Sequence, residues 1–160
     1  MPHFEDRLTA LGFVLPAPLR APAGAVYPFP DVRIIGVRAF VSGHGPQDSD
    51  GSIAGPFGKV GAEVSVEEAV TLAEKTALSM LASLKRELGD LDRIKAWGRV
   101  LGMVNAASGF DDHPTVVNGF SNLILGVFGP DVGSHARTAI GVASLPCGYA
   151  IEVEAEVMIA

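Results

Sequence analysis

One cysteine, Cys147, stands in 160 residues, so the chain can form neither an intramolecular disulfide nor a Cys-based structural zinc site. Charge is sparse too: Asp, Glu, Lys and Arg make up 19%, with a formal net charge of -6. A groove that tracks phosphates needs clustered Lys and Arg, so nucleic acid is not an expected partner. No apolar run approaches the roughly 20 residues of a membrane-spanning helix. Leu8 to Leu19 is mildly apolar, but Pro16 and Pro18 break it, and Glu5, Asp6 and Arg7 give it no basic head. That pattern argues against a signal peptide and for a cytoplasmic protein without membrane contact. His3, His44, His113 and His135 show no H-x-H or H-E-x-x-H spacing, which argues against a metal site.

Apolar residues are plentiful: 48% of the chain is hydrophobic and mean hydropathy is +0.33. Such a chain can fill one large core, and the reading is a single domain over 1–160. The low charge hints that part of the surface is covered by a partner.

Phe4, Leu8 and Leu11 lie at helical spacing, with Gly12 placed to stop a short helix. Five prolines from Pro16 to Pro30 then forbid regular structure, so residues 1–30 read as an extended arm on a 31–160 core. Val32–Ile35 and Val37–Ser42 read as a hairpin about Gly36, and the stretch from Gly43 to Gly61 as a long loop. Ser65 and Glu68 form a capping box ahead of an apolar stripe that runs from Val66 to Leu88 and stops at Gly89. Ile94 to Val104 reads as a strand. A second long helix follows Asp112, with Val116, Val117, Phe120, Leu123, Ile124 and Val127 as its stripe and Gly129-Pro130 as its end. Strands over Arg137–Ala143 and Ala150–Ile159 close the chain through Leu145-Pro146-Cys147-Gly148. The order predicts an α+β domain with both long helices on one face of a mixed sheet.

The other face then meets water or another subunit. Alternation in the last strand turns Glu152, Glu154, Glu156 and Met158 to that free face. In the preceding strand Thr138, Ile140 and Val142 are expected under the helices, which turns Arg137, Ala139 and Gly141 outward. The free face would then also carry Trp97, Leu101 and Met103, and such a surface predicts a homo-oligomer. Arg137 and Glu152 fall on one face across a closing hairpin, either as a cross-strand ion pair or as part of a site. Gly55 to Lys59 has neither the spacing nor the Ser or Thr of a P-loop. Cys147 has no activating neighbour in sequence. Ser42 and His44 flank Gly43 at a strand end, where the glycines more plausibly admit a ligand to bare backbone.

The run His135-Ala136-Arg137-Thr138-Ala139-Ile140-Gly141-Val142-Ala143-Ser144-Leu145-Pro146, followed by Ile151-Glu152-Val153-Glu154-Ala155, resembles the C-terminal signature of the reactive intermediate deaminase, or YjgF-like, family. Val41-Ser42-Gly43-His44-Gly45-Pro46 and Val117-Asn118 fall in that family's order, and the resemblance spans roughly Pro28 to Ala160. It implies a chorismate-mutase-like fold and a homotrimer with clefts between subunits. The implied activity is hydrolysis of enamines or imines such as 2-aminoacrylate to a 2-keto acid and ammonia, with no cofactor or metal. On the same resemblance Arg137 holds the substrate carboxylate and Glu152 positions the attacking water. Asn118 lies near the cleft and the backbone of Gly43 lines it. Phe29 stands about where many members carry a cleft tyrosine, with Tyr27 close by; Ala139 and the small Gly141 also depart from the pattern. Two other readings remain beside deamination: a small-carboxylate-binding or regulatory trimer without turnover, and an endoribonuclease.

Overall fold

The structure, a computed structural model, describes residues 4–160, so His3 lies outside the described residues. A short helix α1 (Phe4–Ala10) ends at Gly12, whose φ of +80° suits glycine. The arm that follows has no helix or strand; its Ala17 and Arg20 amides donate to the carbonyls of Ser49 and Gly51. Strands β1 (Val32–Ile35) and β2 (Arg38–His44) make the hairpin about Gly36. Helix α2 (Val66–Leu88) carries the full capping box and stops at the left-handed Gly89. Strand β3 (Ile94–Asn105), helix α3 (His113–Gly133), strand β4 (Ala136–Val142) and strand β5 (Ile151–Ile159) complete the domain.

The five strands form one mixed sheet in the order β1-β2-β5-β3-β4, with only β3 and β4 parallel. Helices α2 and α3 lie side by side on one face, where Ala69, Ala77, Leu81, Leu84, Val116, Phe120 and Ile124 meet Val100, Val153 and Val157 in a closed core. Gly119 lets the helices touch: a side chain there would collide with the carbonyl of Val70. Among the described residues no helix is long and apolar enough to cross a membrane.

Several expectations are overturned. Sequence-adjacent β4 and β5 do not form a hairpin, because β3 runs between them. Trp97 is not on the free face: it is 3% exposed and packs edge-on against Phe120 and Phe128 under the helices. The cause is a pair of bulges. Ile94 pairs with Ile159 and Ala96 with Met158, then Trp97 with Val157 and Arg99 with Glu156, so Lys95 and Gly98 are extra residues, the first reversing the alternation and the second restoring it. In β4 the odd residues, not the even ones, face the helices. Arg137 bonds to α3, and a Cβ on Gly141 would strike the His113 ring, while Ile140 is 41% exposed on the free face. The long run of helix α3 ends at Gly129, as expected: its φ of +73° and ψ of 174° are not helical, and a single further turn follows from Pro130 to Gly133. Asp112 makes no cap to the helix backbone; its carboxylate instead accepts from the Thr115 hydroxyl at 2.7 Å.

Candidate functional site

A bulge in β2 builds the site. Between Val41 and His44, β2 advances three residues while β5 advances two, from Ala155 to Val153. The extra residue turns the His44 ring inward and lays the Gly43 backbone directly over Glu152, where a side chain would collide with Oε1. Beside this contact opens a cavity of about 140 Å³. The arm supplies one wall with Tyr27 and Phe29, whose rings are 5.9 Å apart, and the 145–150 turn supplies Pro146 and Tyr149.

The cavity's inner end is polar. His44 donates from Nδ1 to the Ser42 carbonyl at 2.6 Å and accepts at Nε2 from the Ser83 hydroxyl at 2.8 Å. Burial is the main influence on the ring and holds its pKa below 6.5, so His44 is neutral at pH 7. Arg86 donates to Ser83 at 2.8 Å, and its guanidinium lies 3.9 Å from Asp31. Ser79 donates to Gln47 at 2.5 Å. These groups use one another, so the ring that neighbours Ser83 acts as a packed acceptor.

Glu152 is different. Its carboxylate is half-buried and has no hydrogen-bond or ion-pair partner among the described residues. Burial raises its pKa above the ordinary 4.5, and the charge of Glu154 adds to the shift.

Arg137 sits on the edge strand β4 and reaches toward α3. Its Nη1 donates to Asn118 Oδ1 at 2.8 Å and to Ser121 Oγ at 3.1 Å, and Nη2 lies 3.4 Å from the Pro114 carbonyl. Ser121 is steadied in turn by His135, whose Nε2 is 2.9 Å away and whose Nδ1 donates to the Gly133 carbonyl at 2.7 Å. Among the described residues no carboxylate pairs with Arg137. The guanidinium is thus oriented by neutral acceptors and keeps its charge and remaining N–H groups for a ligand.

The five candidate residues therefore fall into two sets. Phe29, Gly43 and Glu152 share the cavity; Arg137 and Asn118 share the β4–α3 edge. Arg137 is level with Val100 of β3, and Glu152 with Met103 on its other side. Two strand spacings and three residues of offset separate their Cα atoms by about 14 Å, and the side chains leave opposite faces of the sheet. The expected Arg137–Glu152 pair does not exist within one chain. Tyr149, Asp31 and Arg86 also line the cavity, and no spacing in the sequence points to them. The carboxylates of Glu5, Asp90 and Asp92 also lie close together. Glu5 is bound there by Lys85 and the Leu91 amide, Asp90 caps the 91–93 turn, and Asp92 accepts from the Phe4 amide, so these acids dock α1 against the end of α2.

Comparison with known proteins gives a consistent picture. The family described as "YjgF/chorismate_mutase-like, putative endoribonuclease" matches residues 5–152. Protein TCP17 of Trypanosoma cruzi is 42% identical over 120 residues, which cover 75% of this chain and 74% of that protein. The crystal structure of Agrobacterium tumefaciens Atu1372, of unknown function, shares 38% identity over 98% of this chain and 91% of its own, with a TM-score of 0.85. A Shewanella oneidensis protein described as a "putative endoribonuclease" shares 28% identity over 99% of this chain and 100% of its own, with a TM-score of 0.88.

Proposed function

Because the chain belongs to the YjgF/chorismate mutase-like family, we propose that it hydrolyses reactive imines and enamines of the 2-imino acid and 2-aminoacrylate type to a 2-keto acid and ammonia. The observation that carries this reading is Glu152: an unpartnered, half-buried carboxylate of raised pKa on the wall of a cavity. A buried carboxylate costs stability unless something uses it, and a water-activating base is such a use.

The chemistry divides between two subunits of a homotrimer. Arg137 of one subunit, held by Asn118 and Ser121, binds the substrate carboxylate through its planar fork. Glu152 of the neighbour orders a water against the imine carbon. As the water oxygen bonds to that carbon, Glu152 takes one proton and the C=N electrons move to nitrogen. Glu152 returns that proton to the nitrogen, the C–N bond breaks with its electrons going to ammonia, and Glu152 takes the hydroxyl proton as the ketone forms and passes it to solvent. Ammonia and the keto acid are the products, and no redox partner is required. Such imines already hydrolyse in water, so positioning supplies most of the acceleration. The free sheet face, with Phe40, Leu101, Met103 and Ile140 beside Arg99 and Glu154, is the surface that the trimer would cover.

RNA cleavage, the activity in some relatives' descriptions, fits this chain less well. Its cavity sets Asp31 and Glu152 against a single Arg86, and its net charge is -6, so a polyanion would be repelled.

The imine made from L-leucine by an L-amino-acid oxidase, trapped competitively with semicarbazide, tests the reading. The protein should lower the semicarbazone yield in proportion to its concentration; an unchanged yield at micromolar protein, with pyruvate still bound, would leave a binding trimer without turnover. The pH profile is a second check. Glu152 must be deprotonated to act, and its pKa is raised, so kcat/KM should fall on acidification at a pH above the ordinary carboxylate value of 4.5. Glu154→Gln removes the second cause of the shift and should move that acidic limb to lower pH.

A further inference from the structure

Tyr149 lines the same cavity as Glu152. It is 8% exposed, and its ring rests on the bare backbone of Gly45, where a Cβ would come within 2.6 Å of Cζ. Its main chain is fixed on both sides. The Tyr149 amide donates to the Pro146 carbonyl at 3.0 Å, and its carbonyl accepts from Asn105 Nδ2 at 3.1 Å. The preceding turn holds Cys147 at a φ of +57°, a conformation that a non-glycine residue adopts only under constraint. Yet the phenol hydroxyl, at the end of this well-held side chain, has no hydrogen-bond partner among the described residues. The oxygen is not sealed in the core and is open to a ligand in the cavity.

We infer that Tyr149 is a further catalytic residue of this site, its hydroxyl holding the reacting nitrogen of the substrate across the cavity from Glu152. The inference rests on the imine-hydrolysis reading. A phenol can both accept and donate, which suits a nitrogen that changes character during the reaction. In the protonated imine the nitrogen carries N–H groups, and the Tyr149 oxygen accepts from one. Once water has added, the nitrogen has a lone pair, and the Tyr149 O–H donates to it. The phenol keeps its proton throughout; Glu152 alone moves protons. Fixing the nitrogen in this way fixes the plane of the C=N bond, so that the water on Glu152 meets the carbon face. The electrostatic setting agrees. Burial first, then Cys147, Tyr27 and Glu152, push the Tyr149 pKa up to about 12, so the hydroxyl stays protonated at every working pH.

Tyr149→Phe removes one oxygen and preserves the ring, so the full-length variant tests the role directly. With the L-leucine-derived imine, kcat should fall roughly 10–100-fold, the loss of one hydrogen bond at the reacting atom. Pyruvate has no such nitrogen, so its Kd should stay within about twofold of wild type. The melting temperature should stay close to that of wild type, because the hydroxyl bonds to no other group among the described residues. A wild-type kcat in Tyr149→Phe would overturn the inference while leaving imine hydrolysis standing. A lower melting temperature with matching losses of kcat and pyruvate binding would make Tyr149 structural and would overturn it too. Wild-type protein that does not hydrolyse the imine would defeat the functional reading, and this inference with it.

Discussion

Arg137→Ala should abolish detectable turnover while the fold and the assembly remain intact. In the structure the Arg137 guanidinium meets only neutral acceptors, Asn118, Ser121 and the Pro114 carbonyl. Its removal leaves no buried charge behind, so the melting temperature should change little. What disappears is the one cation on this edge oriented to bind a substrate carboxylate. Losing a charge-assisted bidentate contact of that kind costs about 2–5 kcal/mol, so the pyruvate Kd should rise by roughly 30-fold to several thousand-fold. Arg137→Lys should recover little, since a point charge cannot reproduce the planar fork. Glu152→Gln should differ in kind, lowering kcat while pyruvate affinity is nearly kept. Calorimetry with pyruvate beside thermal melts separates these outcomes. Should Arg137→Ala bind pyruvate as wild type does, the carboxylate is held elsewhere.

The residues whose environment is local were the legible ones. Ser65, Glu68 and Gly89 mark the two ends of α2 because capping chemistry acts within one turn. The stripe on α3 and the alternation of β5 are equally local, and both hold: Val116, Val117, Phe120 and Ile124 are buried, as are Ile151, Val153 and Val157. Errors arose where a single residue changes the count. Bulges at Lys95 and Gly98 bracket Trp97 and swing it under the helices, and a glycine inside a strand pattern is a signal for the second alone. In β4 the larger side chains were expected inside. The start of α3 instead comes so close that a side chain at Gly141 would strike the His113 ring, and Ile140 is left outside. The separation of β4 from β5 is a property of topology, since nothing in either strand records that β3 runs between them. Tyr149 had no signal at all. Its placement depends on Gly45, more than a hundred residues earlier, lacking a side chain.

That same topology yields the most discriminating experiment on the assembly. If each site joins Arg137 of one subunit to Glu152 of its neighbour, then Arg137→Ala and Glu152→Gln, each inactive alone, should restore activity when mixed. Co-expressed or refolded together in equal amounts, they would form mixed cyclic trimers. A site is whole wherever the Glu152→Gln chain supplies Arg137 and the Arg137→Ala chain supplies Glu152, which random assembly gives at about a quarter of sites. Activity should therefore return to roughly a quarter of the wild-type level. The about 14 Å between the two residues within a chain, on opposite faces of the sheet, is what makes recovery expected. A site contained in one subunit predicts the reverse, because every chain in the mixture is then defective and mixing cannot help. Sedimentation equilibrium on the same mixture closes the remaining gap: a monomer at micromolar concentration would remove the shared site and leave Arg86 as the cation that lines the cavity with Glu152.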